Sequence, residues 1–376
     1  MMRRKYIHEQ PDWPQLHWRI EDLADQLAEI RHRQGHLLGQ MTHLGFALRQ
    51  EAMIAALTEE VVKTSEIEGE ILDDELVRSS VARRLGLDVG GLDHTDRNVE
   101  GAVEMVLDAT ERYDQPLTVD RLCQWQTALF PTERSGMRTI KVGRWRQDTT
   151  GPMQVVSGPI GRERVHFEAP AAARIDREMA AFLDWFNSAA NTDPVIKAGL
   201  AHLWFVTIHP FEDGNGRVAR AIAEMALVRA DGTSQRFYSV SSQIRKKRRD
   251  YYNTLEQTQR GATDITRWLA WFLHCVGAAI DGAETTIAAV TAKDRFWRSI
   301  AQITVNDRQR RMINHLLDGF DGKLTTDKWA KITKCSHDTA LRDINDLISR
   351  GVFVRSKAGG RSTSYDLAEP LVTPQL

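Results

Sequence analysis

Residues 194–208, PVIKAGLAHLWFVTI, constrain the fold more than any other stretch. Asp193 in front of them is a capping residue and Pro194 suits the first turn, so the spacing predicts a helix. Val195, Leu200, Leu203, Trp204, Val206 and Ile208 make that helix apolar nearly all round. Such a helix is stable only with other elements packed on every side, so it is expected at the centre of the core. The next twelve residues, HPFEDGNGRVAR from His209 to Arg220, are opposite in character, with a histidine, two acids, two glycines around an asparagine and two arginines. A buried helix ending on such a loop delivers polar chemistry to the edge of the core.

Further helices are expected around this one. In RIEDLADQLAEI the apolar Ile20, Leu23, Leu27 and Ile30 fall at helical spacing, and Gly35 is expected to break that run before a second one over about 41–67. The second run stops at EGE, where Gly69 serves as C-cap. Residues 95–130 predict two helices separated by YDQPLT. The Gly- and Pro-rich stretch 131–170 holds two β-prone runs, MQVV and RVHF, around SGPIG, which predicts a hairpin. Helices resume after 171, and RVARAIAEMALVRADG ends at Gly232. Beyond about 300, three short helical runs and two strand-like runs around a glycine turn predict a winged helix-turn-helix. The fold class is mainly α, with expected domains 1–94, 95–295 and 300–376.

Composition narrows the function class. In 376 residues, 27% are charged and 42% hydrophobic, with a formal net charge of −1, which fits an ordered globular chain rather than a disordered one. Cys123, Cys275 and Cys335 lie far apart with no CxxC pair, which argues against a disulfide framework or a zinc knuckle. No apolar run follows the basic N-terminus, and the greasiest segment, WLAWFLHCVGAAI, is interrupted by His274 and too short for a bilayer. A cytoplasmic protein with no membrane partner is expected. Residues 306–365 carry 12 Lys and Arg against 7 Asp. Ser336, His337, Thr339 and Arg342 on the expected recognition helix, with Lys357 and Arg361 on the wing, are therefore candidate DNA contacts.

The loop itself reads as a phosphate and metal cradle. Gly214 and Gly216 leave backbone N–H groups unshielded at a helix N-terminus, which favours anions. Arg217 and Arg220, expected in the first turn, add planar forks for phosphate oxygens. Asp213 offers a hard oxygen ligand suited to Mg2+, and His209 is a base of near-neutral pKa. Phe211, between polar neighbours, is expected to pack inward. Taken singly, a GNG is an ordinary turn, and a histidine before proline has no special chemistry. No GK[ST] occurs, so a Walker A loop is excluded.

Taken whole, HPFEDGNGRVAR resembles the HxFx[D/E]GNGRxxR signature of Fic-domain proteins, which transfer AMP from ATP to protein hydroxyls. The resemblance covers roughly residues 40–280 and implies a Fic-type helical core with a β-hairpin flap. It implies His209 as general base and Asp213 as metal ligand. Gly214, Asn215 and Gly216 would form the anion hole, Arg217 would hold the α/β-phosphates and Arg220 the γ-phosphate. Flap residues Ser157, Gly158, Pro159 and Ile160 would border the nucleotide, and Tyr251 and Tyr252 would contact adenosine. TSEIEGE, residues 64–70, resembles the family's inhibitory [S/T]xxxE[G/N] pattern, with Thr64, Glu68 and Gly69 at its defined positions. In such relatives the glutamate pairs with the second arginine, here Arg220.

The resemblance thus implies an autoinhibited protein adenylyltransferase capable of self-AMPylation. Its expected partners are ATP with Mg2+, a protein target, a second copy in a homodimer, and DNA through the winged helix. Two alternatives stay open at this point. One is a Fic protein that removes AMP or transfers another phosphate-containing group. The other is a DNA-binding regulator whose Fic core senses nucleotide.

Overall fold

The computed structural model describes residues 6–87, 96–148, 151–159, 162–189, 192–320, 322–356 and 363–368. It separates into two compact units, Met1–Glu284 and Thr285–Leu376.

The first unit is helical. Its chain runs through α1 (Ala24–His43), α2 (Phe46–Ile67), α3 (Asp74–Arg84), α4 (Arg97–Glu111) and α5 (Val119–Leu129). Two antiparallel hairpins follow, β1 (Arg134–Ser135) with β2 (Arg138–Thr139), and β3 (Gln154–Ser157) with β4 (Arg164–Glu168). Then come α6 (Ile175–Asn187), α7 (Pro194–Ile208), α8 (Asn215–Asp231), α9 (Val240–Lys246) and α10 (Arg248–Gln259), and α11 (Thr266–Ser299) runs across the division between the units.

The apolar helix takes the expected place. Asp193 caps α7 by accepting from the Val195 and Ile196 N–H groups at 2.7 and 3.4 Å, and Pro194 occupies the first turn. Of its length only Pro194 and Lys197 are not buried, and α8 packs along it with an equally buried flank from Arg217 to Val228. Gly199 lets α11 approach, since a Cβ there would meet Phe272 Cδ1 at 2.9 Å and Leu269 Cδ2 at 3.0 Å. The helix that ends at TSEIEGE, α2, packs against α9, α3, α4 and α8. Residues 46–67 therefore share a core with the loop they are expected to regulate.

One expected break is absent. α1 runs unbroken through Gly35, because Ile30, Gln34, Leu37 and Met41 form a buried stripe spaced at helical intervals. That burial outweighs the roughly 1 kcal/mol that a mid-helix glycine costs. The chain breaks instead at Leu44, whose extended backbone ends the helix before Gly45.

The second unit holds α12 (Asp307–Leu317), α13 (Thr326–Ile332) and α14 (His337–Ser349), with β5 (Phe353–Arg355) antiparallel to β6 (Tyr365–Leu367). Met312, Ile313, Trp329, Ile344, Leu347 and Phe353 form its core. The three helices and two strands read from the sequence are thus present. Among the described residues, no helix is long and apolar enough to cross a membrane.

Two glycine substitutions test this packing. A Cβ on Gly101 of α4 would overlap the Ala128 carbonyl of α5, whereas one on Gly35 meets nothing within 4 Å. Gly101→Ala is expected to destabilise the protein by about 1–3 kcal/mol, and Gly35→Ala to stabilise it by about 0.5–1 kcal/mol. Denaturant midpoints for the two variants should shift in opposite directions.

Candidate functional site

The site is built at the junction of α7 and α8. His209 closes α7 in the left-handed region, with φ 54° and ψ 56°, its N–H bonded to Phe205 O at 3.0 Å. Its Nδ1 lies 3.2 Å from Val206 O, so Nδ1 carries the proton that a carbonyl requires and Nε2 keeps its lone pair. Burial pushes the His209 pKa down to about 4, so the ring is neutral at physiological pH and free to accept a proton. Arg146 holds the loop from behind: Nε donates to His209 O at 2.8 Å, and its backbone N–H to Pro210 O at 2.8 Å.

The next residues are fixed by packing and by one amide. Phe211 is fully buried against Trp145, with ring centroids 4.9 Å apart. Asn215 ties the loop shut, its Oδ1 accepting from Phe211 N–H at 2.9 Å and its Nδ2 donating to Phe211 O at 2.8 Å. The Asn215 side chain thus uses its oxygen and one of its two amide N–H donors to close the loop. Gly214, with φ 87°, starts α8 without a side-chain cap. Asp213 accepts from the Gly214 N–H at 2.6 Å with one oxygen and from the Ser135 hydroxyl with the other. Carboxylate oxygens have further lone pairs, and a magnesium ion bound through substrate phosphates needs only one or two protein carboxylates. Asp213 fits that limited demand.

Both arginines are already engaged by acids. Arg220 is in the second turn of α8 rather than the first, and is 3% exposed. Its Nε donates to Thr64 Oγ1 at 2.7 Å, and its Nη2 to Thr64 O at 2.9 Å and Glu68 Oε1 at 2.8 Å, all within one chain. Burial alone would raise the Glu68 pKa, but the Arg220 charge and hydrogen bond, with Arg217 and Arg248 beyond, hold it below the ordinary carboxylate range. The same carboxylate sits over the first turn of α8, where a Cβ on Gly216 would collide with Glu68 Oε1. Arg217 donates to Glu70 Oε2 at 2.6 Å and stacks on Phe130 at 4.9 Å. Arg217 Nε and Arg220 Nη1 are buried without an acceptor among the described residues.

Helix geometry explains why two acids arrive together. The end of α2 is a Schellman turn: Gly69 has φ 88°, its N–H bonds Glu66 O at 3.1 Å, and the Glu70 N–H bonds Ser65 O at 3.1 Å. The turn presents Glu68 and Glu70 on either side of Gly69, opposite the start of α8. Arg248 secures it by donating to Ile67 O at 2.6 Å.

Comparison with known proteins agrees with this geometry. Residues 116–227 match the Fic/DOC family, and residues 6–87 match a domain of unknown function, DUF4172. Within residues 116–227 the chain is thus similar to a Fic domain. It is 37% identical over 122 residues to the protein adenylyltransferase Fic of Nematostella vectensis, covering 31% of this chain and 27% of that protein. It is 27% identical over 157 residues to the protein adenylyltransferase fic-1 of Caenorhabditis briggsae, covering 37% and 30%. The chain thus spans under a third of the length of these curated relatives. A Fic family protein from Desulfovibrio desulfuricans G20 shares the fold, with TM-score 0.51 and 23% identity over 92% of this chain and 96% of that one. A Fic domain containing signaling protein from Bacteroides thetaiotaomicron gives TM-score 0.50 and 19% identity over 71% and 97%.

The tyrosine pair on α10 is divided by the structure. Tyr252 faces the site, its hydroxyl 3.4 Å from Glu68 Oε2. Tyr251 is 1% exposed, with its hydroxyl 3.2 Å from His202 Nε2, so in this conformation its ring belongs to the core rather than to an adenosine surface. On the flap, Ser157, Gly158 and Pro159 are exposed, and Ile160 lies outside the described residues. In the second unit Ser336 is the N-cap of α14, and His337 and Arg342 are exposed on that helix beside the half-buried Thr339. Lys357 and Arg361 lie outside the described residues. Glu70, Arg146, Phe130 and Ser135 were not singled out from the sequence. Only Glu70 had a legible signal, as the second acid flanking the glycine of EGE.

If Glu68 and Glu70 neutralise the cradle, removing both charges must expose it. Pyrophosphate should bind the Glu68→Gln/Glu70→Gln protein at least about tenfold more tightly than the unmodified chain in calorimetry at low salt, since each arginine then has a charge-assisted bond to offer. Each single change should give part of that gain.

Proposed function

We propose that this chain is a protein adenylyltransferase that transfers AMP from ATP to a hydroxyl of a protein target and is restrained by its own Glu68. The observation that carries this reading is the Glu68 carboxylate lying 2.8 Å from Arg220 and over Gly216, at the uncapped start of α8. An acid in that place occupies the partner of a terminal phosphate and repels a polyanion. The Fic/DOC match and the names of the relatives support AMP transfer as the reaction.

In the released state, the free N–H groups of the first turn of α8 and the forks of Arg217 and Arg220 would take the triphosphate. Arg217 would hold the α/β-phosphates and Arg220 the γ-phosphate. Asp213 would hold a magnesium ion, whose charge would offset that of the phosphates. His209 Nε2 would receive the proton of the target hydroxyl as its oxygen attacks the α-phosphorus in line and pyrophosphate departs. The flap would border the nucleotide through Ser157–Pro159 and align the target as an added strand along β3. Tyr252 is the better placed of the two tyrosines for adenosine. Hydrolytic removal of AMP, which would need Glu68 as a base for water, is the weaker reading, because the Fic/DOC match and the names of the relatives support transfer.

Three linked measurements test this reading. Glu68→Gly should raise AMP transfer, read as self-labelling, by at least about tenfold, whereas Arg220→Ala should not mimic the gain because it removes pair and phosphate ligand together. Adding His209→Ala should lower transfer to a protein target by about 10²–10⁴-fold with ATP affinity nearly kept. The base acts when unprotonated, and its pKa lies near 4 in the free protein, so kcat/KM for Glu68→Gly should stay level from about pH 8 to about pH 6. An acid limb centred on the ordinary histidine value, or flat self-labelling in folded Glu68→Gly, would contradict the assignment.

A further inference from the structure

The flap carries chemistry of its own. Ser157 Oγ lies 2.6 Å from His166 Nε2, and His166 Nδ1 lies 2.6 Å from Glu256 Oε2 on α10. A hydroxyl, an imidazole and a carboxylate therefore stand in one hydrogen-bonded line across three elements, β3, β4 and α10.

The direction of that line follows from its far end. Burial would raise the Glu256 pKa, but hydrogen bonds and charge from His166 and Arg164 hold it below the ordinary range, so the carboxylate is ionised. An ionised carboxylate only accepts, so Nδ1 carries the proton facing it, which leaves Nε2 as the ring nitrogen that meets the Ser157 hydroxyl.

The backbone holds this imidazole in place. The β3–β4 ladder passes from Val155↔Phe167 to Val156↔Val165, which leaves His166 as the extra residue of a bulge. Bulges re-aim side chains. Arg260 then fixes the bulged strand, donating to His166 O at 2.8 Å and Val165 O at 2.6 Å. Arg164 adds an ion pair to Glu256 at 3.0 Å. These bonds suffice to pin the flap to α10, and none of them needs a serine in line with the ring.

The relay also lies one helical turn from a residue that touches Glu68. Glu256 is one turn beyond Tyr252 on α10, and the Tyr252 hydroxyl reaches Glu68. Ser157 itself is exposed, just before Gly158 with φ 104°.

We infer that Ser157 is an acceptor of AMP, a self-modification site with His166 as its base and Glu256 as the positioning residue. This rests on the AMP-transfer reading above. Ser157 Oγ forms a bond to the α-phosphorus of ATP as the bond from that phosphorus to the bridging oxygen breaks. The hydroxyl proton passes to His166 Nε2, and pyrophosphate leaves with the electron pair.

The test uses the full-length Glu68→Gly protein incubated with ATP and magnesium, with labelled peptides fragmented in a mass spectrometer. AMP is expected on Ser157, retained by Ser157→Thr and lost from the flap peptide in Ser157→Ala. His166→Asn and Glu256→Gln should each slow Ser157 labelling at saturating ATP by at least about tenfold. For Glu256→Gln the ATP concentration giving half-maximal rate should not change, and Glu256→Asp should restore part of the rate, neither of which a distorted flap would do. AMP on other residues but not on Ser157 would overturn this inference and leave AMP transfer standing. Undiminished Ser157 labelling in His166→Asn would overturn the relay. AMP on no residue and no target would remove the AMP-transfer reading and this inference together.

Discussion

Arg220 carries a permanent positive charge into a site where it is 3% exposed, and most of the arrangement around the loop follows from what that charge requires. A buried guanidinium left without acceptors is costly, and a single carboxylate offsets the cost only if further hydrogen bonds share the load. Thr64 supplies two acceptors and Glu68 the opposite charge. Beside it, Glu70 does the same for Arg217. The start of α8 therefore holds two protein carboxylates against the same donors that a polyphosphate would use. On the proposed reading the chain satisfies its own anion site from within, and a nucleotide would compete with that internal pair.

The surrounding architecture keeps this competition finely placed. The buried α7–α8 pair sets the loop, Asn215 and Arg146 stiffen it, and Phe211 anchors it in the core. The Schellman turn after α2 sets the position of both acids by backbone geometry rather than by side-chain reach. Glu68 remains about a third exposed at its side chain, whereas Arg220 is almost wholly buried. The acid is thus the partner able to withdraw, and the arginine is the fixed point. The flap is held to α10 by Glu256 and Arg260, and α10 also carries Tyr252 against Glu68, so flap and acid are neighbours along one helix.

Much of this was legible in the sequence because it is local. The all-round apolar helix with its Asp-Pro start, the hairpin around SGPIG, and the histidine-to-arginine loop are each written in consecutive residues. The Glu68–Arg220 pair, 152 positions apart, was reached only through resemblance to a known motif. Contacts with neither locality nor a motif were not legible. Glu70 on Arg217, Arg146 on the His209 carbonyl, and the line from Ser157 through His166 to Glu256 arise only when separate elements meet, the last through a bulge in the flap. Gly35 illustrates the reverse error, where local propensity pointed to a break and a buried helical stripe overrode it. Tyr251 and Tyr252 were read as a pair, and the structure buries the first while the second is the more exposed and lies beside Glu68.

The central claim is that Glu68 occupies the partner of the terminal phosphate, and the most direct test compares ATP with ADP. By calorimetry in magnesium, the unmodified chain should bind the two nucleotides with similar affinity, because the γ-phosphate finds Arg220 already taken. Glu68→Gly should prefer ATP by at least about tenfold, the value of one further charge-assisted contact. An equal preference in both proteins, with Glu68→Gly folded, would contradict the account.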